Sequence, residues 1–243
     1  MIISAEPTLL SLSCGSQINV VPTPLRRGDV NSPWCYTFSL SPVIIDDDVI
    51  SSNLPTGANF LATQVWPSSR IASTIIEKYV DPSWKVCELG CGPALPSLTA
   101  AMKGAEVIAT DLDECALEMV VAAAREQGYL VEDRFKTQQF DLTSRKNVLP
   151  DADLYIMSDV FESSNVAESA AFHVQSIFAK NKNSKSKRRV WVFAQSDRAQ
   201  REIFLDAMKE SYDETLEWSL THIPDVEREL WLCDLDETAV AYN

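Results

Sequence analysis

Short apolar runs alternate with stretches of helical spacing from about residue 84 to residue 210 of the chain. The strand-like runs lie at 84–90, 105–111, 136–142, 153–159 and 190–196. Helical patterns occupy 94–104, 113–128, 162–180 and 198–210 and follow all of these runs except the third. Alternation of strands and helices is typical of a largely parallel sheet with helices on both faces. The pattern therefore predicts an α/β, Rossmann-like architecture.

The pattern changes near the carboxyl end of the chain. Two strand-like runs, L-E-W-S-L-T-H at 216–222 and E-L-W-L-C-D-L at 229–235, are joined only by I-P-D-V-E-R. A parallel crossover needs about a dozen residues or more, so we expect these runs to pair as an antiparallel hairpin at one edge of the sheet. Together with the five earlier runs, they give a predicted sheet of seven strands.

The first 60 residues follow neither pattern. They are rich in proline and serine and contain the β-type runs I-N-V-V, C-Y-T-F-S-L and V-I-I. We expect residues 1–60 to form an irregular extension with one or two short strands, and residues 61–243 to form the main domain. At the junction, residues 63–80 predict a loop that enters a helix, with Pro67 in the first helical turn.

The composition is that of an ordinary globular chain, with 243 residues of which 46% are hydrophobic and 23% are charged. No window reaches the roughly 18 uninterrupted apolar residues of a membrane helix, so we expect no membrane partner. The opening residues, M-I-I-S-A-E-P-T-L-L-S-L-S-C-G-S-Q, contain no lysine or arginine and make a poor signal peptide. We therefore expect a cytoplasmic monomer, with the nucleus as a second location.

The net charge of −14 limits the choice of partner. It repels phosphate backbones and so disfavours nucleic acid. It attracts a basic, lysine-bearing protein substrate. The one basic run, at 180–189, is typical of a solvated loop, and a nuclear-import signal or docking patch is the alternative interpretation.

The cysteines give no metal-binding pattern. There are six of them, but no C-x-x-C spacing, and only His173 and His222 are available as histidine ligands. This set favours reduced, buried thiols over a zinc site. Cys87 and Cys91 are predicted to lie in a strand and in the loop after it, so we do not expect them to share a metal.

The segment V-C-E-L-G-C-G-P-A-L-P at 86–96 places a glycine loop after the first main strand, where open α/β sheets bind ligands. Gly90 and Gly92 allow a ligand to approach the backbone closely. A dinucleotide site needs a third glycine where Leu95 stands, and the carboxylate of Glu88 is unsuited to a pyrophosphate. An acid at this position suits an ammonium or a sulfonium group, and S-adenosylmethionine carries both.

Polar residues also end the following strands at the same edge of the predicted sheet. Asp111 ends the second run and can accept hydrogen bonds from both hydroxyls of a ribose. Asp141, in the segment F-D-L, is placed where an adenine ring would lie, and Ser158 and Asp159 end the fourth run near the expected point of methyl transfer. Taken singly, Asp111 and Asp141 remain open to a second interpretation as helix caps or turn residues.

Three segments carry a resemblance to a known family: G-A-N-F-L-A-T-Q-V-W-P-S-S-R at 57–70, C-E-L-G-C-G-P-A-L-P-S-L at 87–98 and G-A-E-V-I-A-T-D-L-D at 104–113. With them, the chain from about residue 55 onward resembles the class I, seven-strand S-adenosylmethionine-dependent methyltransferases. More closely, it is similar to methyltransferase family 16, which contains many protein-lysine methyltransferases. The V-W-P-S segment is the most selective, because the glycine loop alone indicates only the superfamily.

The resemblance implies a cofactor-binding role for a set of residues. Trp66 and Leu112 would contact the cofactor, Gly90, Cys91 and Gly92 would hold its methionine part, Asp111 would bind its ribose, Asp141 and Leu142 would flank its adenine, and Ser158 would line the site. Core packing is the alternative interpretation for Trp66.

Two segments depart from the family pattern. The residues A-L-P-S at 94–97 stand where the family often has G-L-x-G, so that Ala94 would adopt a positive φ at a cost of about 1 kcal/mol. The residues D-V-F-E at 159–162 stand where the acceptor motif Asp-x-x-Tyr is usual. No Asn-Pro-Pro-Tyr is present, which disfavours a glutamine or adenine-amino acceptor.

Three functions remain open from the sequence. The first is methyl transfer to a lysine side chain of a protein, with Asp159 or Glu162 positioning the amine as catalytic residues. The second is methylation of a small amine with the same cofactor. The third is a non-catalytic methyltransferase fold that acts as an interaction module. A dehydrogenase and a serine or cysteine hydrolase are disfavoured, because a third glycine and a G-x-S-x-G segment are missing.

Overall fold

The chain forms a small and a large β-sheet, and its helices pack on the faces of the large sheet. The computed structural model describes residues 7–39, 54–130, 134–181, 188–195, 198–210, 219–223 and 230–234. At the amino end, β1, β2 and β3 form a three-stranded antiparallel meander. These strands span Thr8–Ser11, Gln17–Pro24 and Trp34–Phe38, respectively.

The large sheet has seven strands in the order β6-β5-β4-β7-β8-β10-β9. They are β4 (Lys85–Leu89), β5 (Glu106–Asp111), β6 (Phe135–Gln139), β7 (Leu154–Ser158), β8 (Arg189–Gln195), β9 (Ser219–Ile223) and β10 (Leu230–Asp234). Strands β4 to β8 pair in parallel, whereas β10 pairs antiparallel with both β8 and β9. This topology confirms the predicted parallel sheet and the antiparallel hairpin at one edge.

Helices lie at the predicted places along the chain. They are α1 (Pro67–Tyr79), α2 (Leu95–Met102), α3 (Glu114–Glu126), α4 (Ser164–Asn181) and α5 (Ala199–Glu210), with a short 3-10 helix (Phe60–Thr63) before α1. Pro67 lies in the first turn of α1, where its missing N–H removes no helical hydrogen bond. Asp113 caps α3, because its side chain accepts a hydrogen bond from the N–H of Ala116 at 2.9 Å.

The core consists of two apolar layers, one on each face of the large sheet. Alternation along β4 supplies both layers: Val86 belongs to the layer that contains α1, α2, α3 and the small sheet. Cys87 and Leu89 point the other way and pack with α4 and α5. All three side chains are completely buried, so β4 is covered on both faces.

The amino-terminal extension is more regular than we expected. It has three strands in place of one or two, and β1 does not coincide with any β-type run of the sequence. The run V-I-I at 43–45 lies outside the described residues. Polar contacts attach the extension to α3: Ser13 donates through its N–H and its hydroxyl to Glu118, both at 2.7 Å, and the Tyr36 hydroxyl donates to Glu126 at 2.7 Å.

The remaining sequence features are placed as follows. No helix among the described residues is sufficiently long and apolar to cross a bilayer. Of the basic run, residues 182–187 lie outside the described residues. Cys14, Cys35, Cys87, Cys91 and Cys115 are free thiols, of which Cys14 is exposed and the other four are buried.

Candidate functional site

A cavity of about 390 Å³ lies at the carboxyl ends of the parallel strands, the edge at which α/β sheets bind ligands. The segment before α1 and the first residues of α1 form part of its wall. Every candidate residue except Glu88 lines it. These residues are Trp66, Gly90, Cys91, Gly92, Asp111, Leu112, Asp141, Leu142, Ser158, Asp159 and Glu162.

The glycine loop after β4 is shaped by left-handed backbone. Gly90 has a φ of +68° and Gly92 has a φ of +48°. A Cβ on Gly90 would lie only 2.8 Å from Cγ1 of Val160, and a Cβ on Gly92 would lie 3.2 Å from the carbonyl oxygen of Ala62. Both glycines are therefore needed for close packing as well as for their conformation.

Ala94 follows the same loop and has the positive φ that the family resemblance implied. Its φ is +58°, in the left-handed region that disfavours a residue with a Cβ. Its N–H donates to the carbonyl oxygen of Cys91 at 2.8 Å, so the turn holds the residue in place just before α2. The strain costs about 1–2 kcal/mol.

Asp111 ends β5 and lies beside the glycine loop. One carboxylate oxygen, Oδ2, accepts the N–H of Gly92 at 2.8 Å, and the other accepts the N–H of Asp113 at 2.9 Å. Burial raises the pKa of Asp111 above its usual value. The cap of α3 is Asp113, so the alternative interpretation of Asp111 as the helix cap is excluded. Each oxygen of Asp111 retains acceptor capacity toward the cavity.

Glu88 does not line the cavity. It lies beneath the glycine loop, where its Oε2 accepts the N–H of Ser97 at 3.0 Å and the hydroxyl of Ser97 at 2.6 Å. Burial raises the pKa of Glu88 to about 8, and its Oε1 has no hydrogen-bond partner among the described residues. The sequence led us to expect direct contact between this carboxylate and a positively charged ligand. In the structure the carboxyl instead supports the start of α2.

Strand β6 ends at Gln139, whereas the predicted strand extended to residue 142. Residues 140–143 therefore form a loop after β6. Phe140 and Leu142 present apolar surface to the cavity. Asp141 accepts the N–H and the hydroxyl of Thr143, at 2.9 and 2.6 Å, so it caps this turn while also lining the cavity. His173 of α4 holds the loop from behind, because its Nε2 lies 3.1 Å from the carbonyl oxygen of Leu142.

The side chain of Asp159, after β7, is fully buried, and the residue has a φ of +58°. Its Oδ2 accepts a hydrogen bond from Nε2 of Gln195 at 2.7 Å, and its Oδ1 accepts one from Nε of Arg198 at 3.3 Å. The carboxylate is thus engaged within the protein. By contrast, Glu162 is exposed at the cavity, and its carboxylate makes no ion pair or hydrogen bond with the described residues.

Trp66 immediately precedes α1 and lines the cavity. Its indole Nε1–H donates to the carbonyl oxygen of Leu61 at 3.1 Å, and the guanidinium of Arg198 lies 5.3 Å from the centre of its ring. Trp66 is partly exposed and lines the cavity, which core packing alone does not explain. Ser69, in the next turn, shares a hydrogen bond with Ser158 at 3.0 Å.

Arg198 is the main functional candidate that sequence reasoning did not identify. It follows β8 by a few residues and lines the cavity. The rule that pointed to Asp111 and Asp159, that residues just after parallel strands face the ligand, applies equally to the end of β8. The available signal was therefore the position of Arg198 and not its residue type.

Comparison with known proteins supports the fold. No protein-family model matches this sequence, and no curated protein matches it. The structure of a TehB-like SAM-dependent methyltransferase from Corynebacterium glutamicum is similar over 74% of this chain and 93% of its own, with 16% identity and a TM-score of 0.50.

Two further solved structures are similar. A protein assigned as an rRNA methylase from Clostridium thermocellum aligns over 73% of this chain and 99% of its own, at 12% identity and a TM-score of 0.54. SMU.776, assigned as a methyltransferase and solved with S-adenosylhomocysteine, aligns over 95% of this chain and 56% of its own, at 12% identity and a TM-score of 0.53. Identities this low establish the fold alone: the chain has the fold of the class I S-adenosylmethionine-dependent methyltransferases.

Proposed function

We propose that the chain binds S-adenosylmethionine in this cavity and transfers its methyl group to an acceptor. The observation that carries the proposal is the position of Asp111. It lies at the tip of β5, it is bonded to the N–H of Gly92, and its remaining acceptor capacity faces a cavity at the carboxyl edge of the sheet. The fold, shared with S-adenosylmethionine-dependent enzymes, supports the same conclusion.

The residues of the cavity fit such a ligand. Asp111 can accept hydrogen bonds from the ribose hydroxyls, because a carboxylate has about four acceptor positions and the N–H groups of Gly92 and Asp113 occupy two of them. Leu112, Phe140 and Leu142 offer apolar surface to an adenine ring. The cavity volume of about 390 Å³ lies within the range of small-molecule sites.

When bound, S-adenosylmethionine supplies a methyl group on a positively charged sulfur, which is already a strong electrophile. The protein therefore has to align the acceptor and exclude water. Gly90 of the loop after β4 lies against Val160 of the loop after β7, so the two loops are in contact along the wall of the cavity. Glu162 lines the cavity, its carboxylate has no partner among the described residues, and it is suited to receive an approaching amine. Asp159 is less suited, because Gln195 and Arg198 already use both its oxygens.

The acceptor that we propose is a lysine side chain of a basic protein. The net charge of −14 attracts such a partner and repels RNA phosphates. A lysine must lose its proton before it can attack, and an exposed acid such as Glu162 can orient the amine and accept its hydrogen bond. The rRNA assignment of one structural neighbour concerns that protein, and the charge of this chain argues against the same substrate class.

Cofactor binding is tested first, by titration calorimetry of the purified protein with S-adenosylhomocysteine. We expect saturable binding that Asp111→Asn weakens. The matched control is Asp81→Asn, because Asp81 also accepts a backbone N–H in a turn but lies outside the cavity. Absence of binding by the unmodified protein would leave the third function, a non-catalytic interaction module.

The acceptor is tested with radiolabelled S-adenosylmethionine and cell extract. We expect label that is lost on protease treatment, survives ribonuclease, and is recovered as methyl-lysine after hydrolysis. Glu162→Gln should raise KM for the acceptor without changing the affinity for S-adenosylhomocysteine. Label confined to the low-molecular-weight fraction would select the small-amine function, and label sensitive to ribonuclease would refute the protein-lysine assignment.

A further inference from the structure

We propose that Arg198 forms a carboxylate-binding subsite at the end of the cavity opposite Asp111. The group that it binds is the α-carboxylate of the amino-acid part of the cofactor. This inference rests on the proposed function and deepens it. It also gives Asp159 a different role from the one expected, that of a positioning residue which acts through Arg198.

The guanidinium of Arg198 is held on one side, and its other side has no partner among the described residues. Its Nε donates to Asp159 Oδ1 at 3.3 Å, and its Cζ lies 5.3 Å from the ring centre of Trp66. Neither of its terminal nitrogens, Nη1 and Nη2, makes a hydrogen bond or ion pair with any described residue. Its side chain is 32% exposed and lines the cavity. A guanidinium held through Nε keeps a pair of donors that suits a carboxylate.

Asp159 is built to hold this guanidinium. Its side chain has no exposed surface and receives a second hydrogen bond, at 2.7 Å, from Gln195. Its backbone is left-handed, with a φ of +58°, which costs less for Asp and Asn than for most other residues with a side chain. A buried carboxylate in a strained position, paired with an arginine that reaches the cavity, indicates a positioning device.

The order of the strands decides which group reaches Arg198. Asp111 ends β5 and Arg198 follows β8, with β4 and β7 between them. The glycine loop of β4 contacts Val160 of the β7 loop, because a Cβ on Gly90 would lie 2.8 Å from Cγ1 of that residue. A ligand with its ribose at Asp111 that extends across Gly90 therefore brings its far end to Arg198. In S-adenosylmethionine the far end carries the amino-acid carboxylate.

The same donors could instead receive an acidic group of the acceptor. Both sources offer the same chemistry, a carboxylate, and they are separated by removing the carboxylate from the cofactor product. The two ligands for the test are S-adenosylhomocysteine and its decarboxylated analogue, which keeps the ammonium group. Their affinities are compared in the unmodified protein and in Arg198→Met, which keeps an unbranched apolar side chain beside Trp66.

We expect the unmodified protein to bind S-adenosylhomocysteine about 10- to 100-fold more tightly than the decarboxylated analogue, the range of one charge-assisted hydrogen-bonded contact. In Arg198→Met the two affinities should become equal, with that for the analogue unchanged. Asp159→Asn should partly reduce the ratio of the affinity for S-adenosylhomocysteine to that for the analogue. A merely structural role for Asp159 would not change this ratio. The matched control is Arg145→Met, because Arg145 also lies over an aromatic ring, 5.4 Å from Phe172, and pairs with Glu168 at 3.9 Å outside the cavity.

Three outcomes decide the inference. If Arg198→Met retains the full preference for S-adenosylhomocysteine but raises KM for the protein acceptor, the carboxylate belongs to the acceptor and the subsite stands with that source. If neither quantity changes, the subsite is refuted while the proposed function survives. If the unmodified protein binds neither ligand, the proposed function fails, and this inference fails with it.

Discussion

Buried acids at the two ends of the cavity have different kinds of partner. At the end where Asp111 lies, Asp111 in the cavity wall and Glu88 beneath the glycine loop are held by backbone N–H groups and the hydroxyl of Ser97, and neither forms an ion pair within the described residues. At the end where Arg198 lies, the side chain of Asp159 is equally buried but is paired with Arg198. Burial accordingly raises the pKa of Glu88 and of Asp111.

Because of this difference, the two ends of the cavity favour ligand groups of different charge. A buried acid without a cation is costly, and it favours a ligand that brings hydrogen-bond donors or a positive charge. An acid that is already paired leaves its arginine available for a ligand with a negative charge. The two ends are therefore suited to different groups of one elongated molecule, and variants on either side alter one half of this contrast.

The largest effect is expected from Glu88→Gln, in the dependence of stability on pH. Folded Glu88 keeps its proton up to about pH 8, whereas the unfolded chain releases it near the ordinary pKa of 4.5. Between these values the folded state binds more protons, so the free energy of unfolding falls by about 1.4 kcal/mol for each unit of rising pH. Glu88→Gln should remove this component from the slope.

Urea denaturation at pH 5.5, 7 and 8 measures this slope. Glu168→Gln is the control, because Glu168 is about half exposed and lies outside the cavity. Parallel curves for Glu88→Gln and the unmodified protein would show that Glu88 is ionised in the folded chain and that the contrast between the two ends is false.

The second effect is the relative importance of Asp111 and Asp159 for cofactor affinity. Asp111→Asn should weaken the binding of S-adenosylhomocysteine about 100-fold, because hydrogen bonds from two ribose hydroxyls to a charged acceptor are weakened. Asp159→Asn should weaken it by about 10-fold or less, since it acts only through Arg198. Titration calorimetry measures the affinity of both variants. A larger loss in Asp159→Asn than in Asp111→Asn would contradict the assignment of the ribose to the Asp111 end.

The third effect is steric and lies where the two ends meet. Gly90→Ala should destabilise the protein by about 2 kcal/mol more than Gly128→Ala, measured by chemical denaturation. Both glycines have positive φ, but only Gly90 faces an atom, Cγ1 of Val160, at 2.8 Å from the added Cβ. The double variant Gly90→Ala with Val160→Ala should recover part of the difference. Equal losses for the two glycines would mean that the loops of β4 and β7 are not in contact.

The smallest effect is expected from Ala94→Gly. Relief of the left-handed strain is worth about 1–2 kcal/mol and is partly offset by the greater chain entropy of glycine in the unfolded state. We expect a net gain below about 1 kcal/mol in the free energy of unfolding. Ala101→Gly, within α2, should show the opposite sign, and a loss of stability in both variants would place Ala94 in an unstrained conformation.

Much of this fold could be predicted from the sequence, because its strands are apolar runs between helical segments. The antiparallel edge followed from the short connection before β10, and the site edge followed from residues just after the parallel strands. The strand β1 was missed because T-L-L-S lacks a periodic pattern, and it is stabilised by pairing with β2. Local patterns carry no information on such long-range pairing.

Side-chain direction accounts for the rest of the differences. The sequence places Glu88 near the end of β4, but whether its carboxyl faces the cavity or Ser97 depends on how α2 begins. Likewise, the link between Asp159 and Arg198 joins residues 39 positions apart on different strand ends. The Asp111 side of the cavity was thus more predictable than the Arg198 side, since its contacts arise within one glycine loop and its neighbouring strand.

Helix α3 has a consequence for anyone who shortens this protein. Its first turn is capped by Asp113, whose N–H bonds Asp111, while its other residues bind the amino-terminal meander through Glu118 and Glu126. Fragments that start after residue 38 would lose those partners and leave one face of α3 in contact with water. We expect them to hold nucleosides poorly, even though every cavity-lining side chain would still be encoded.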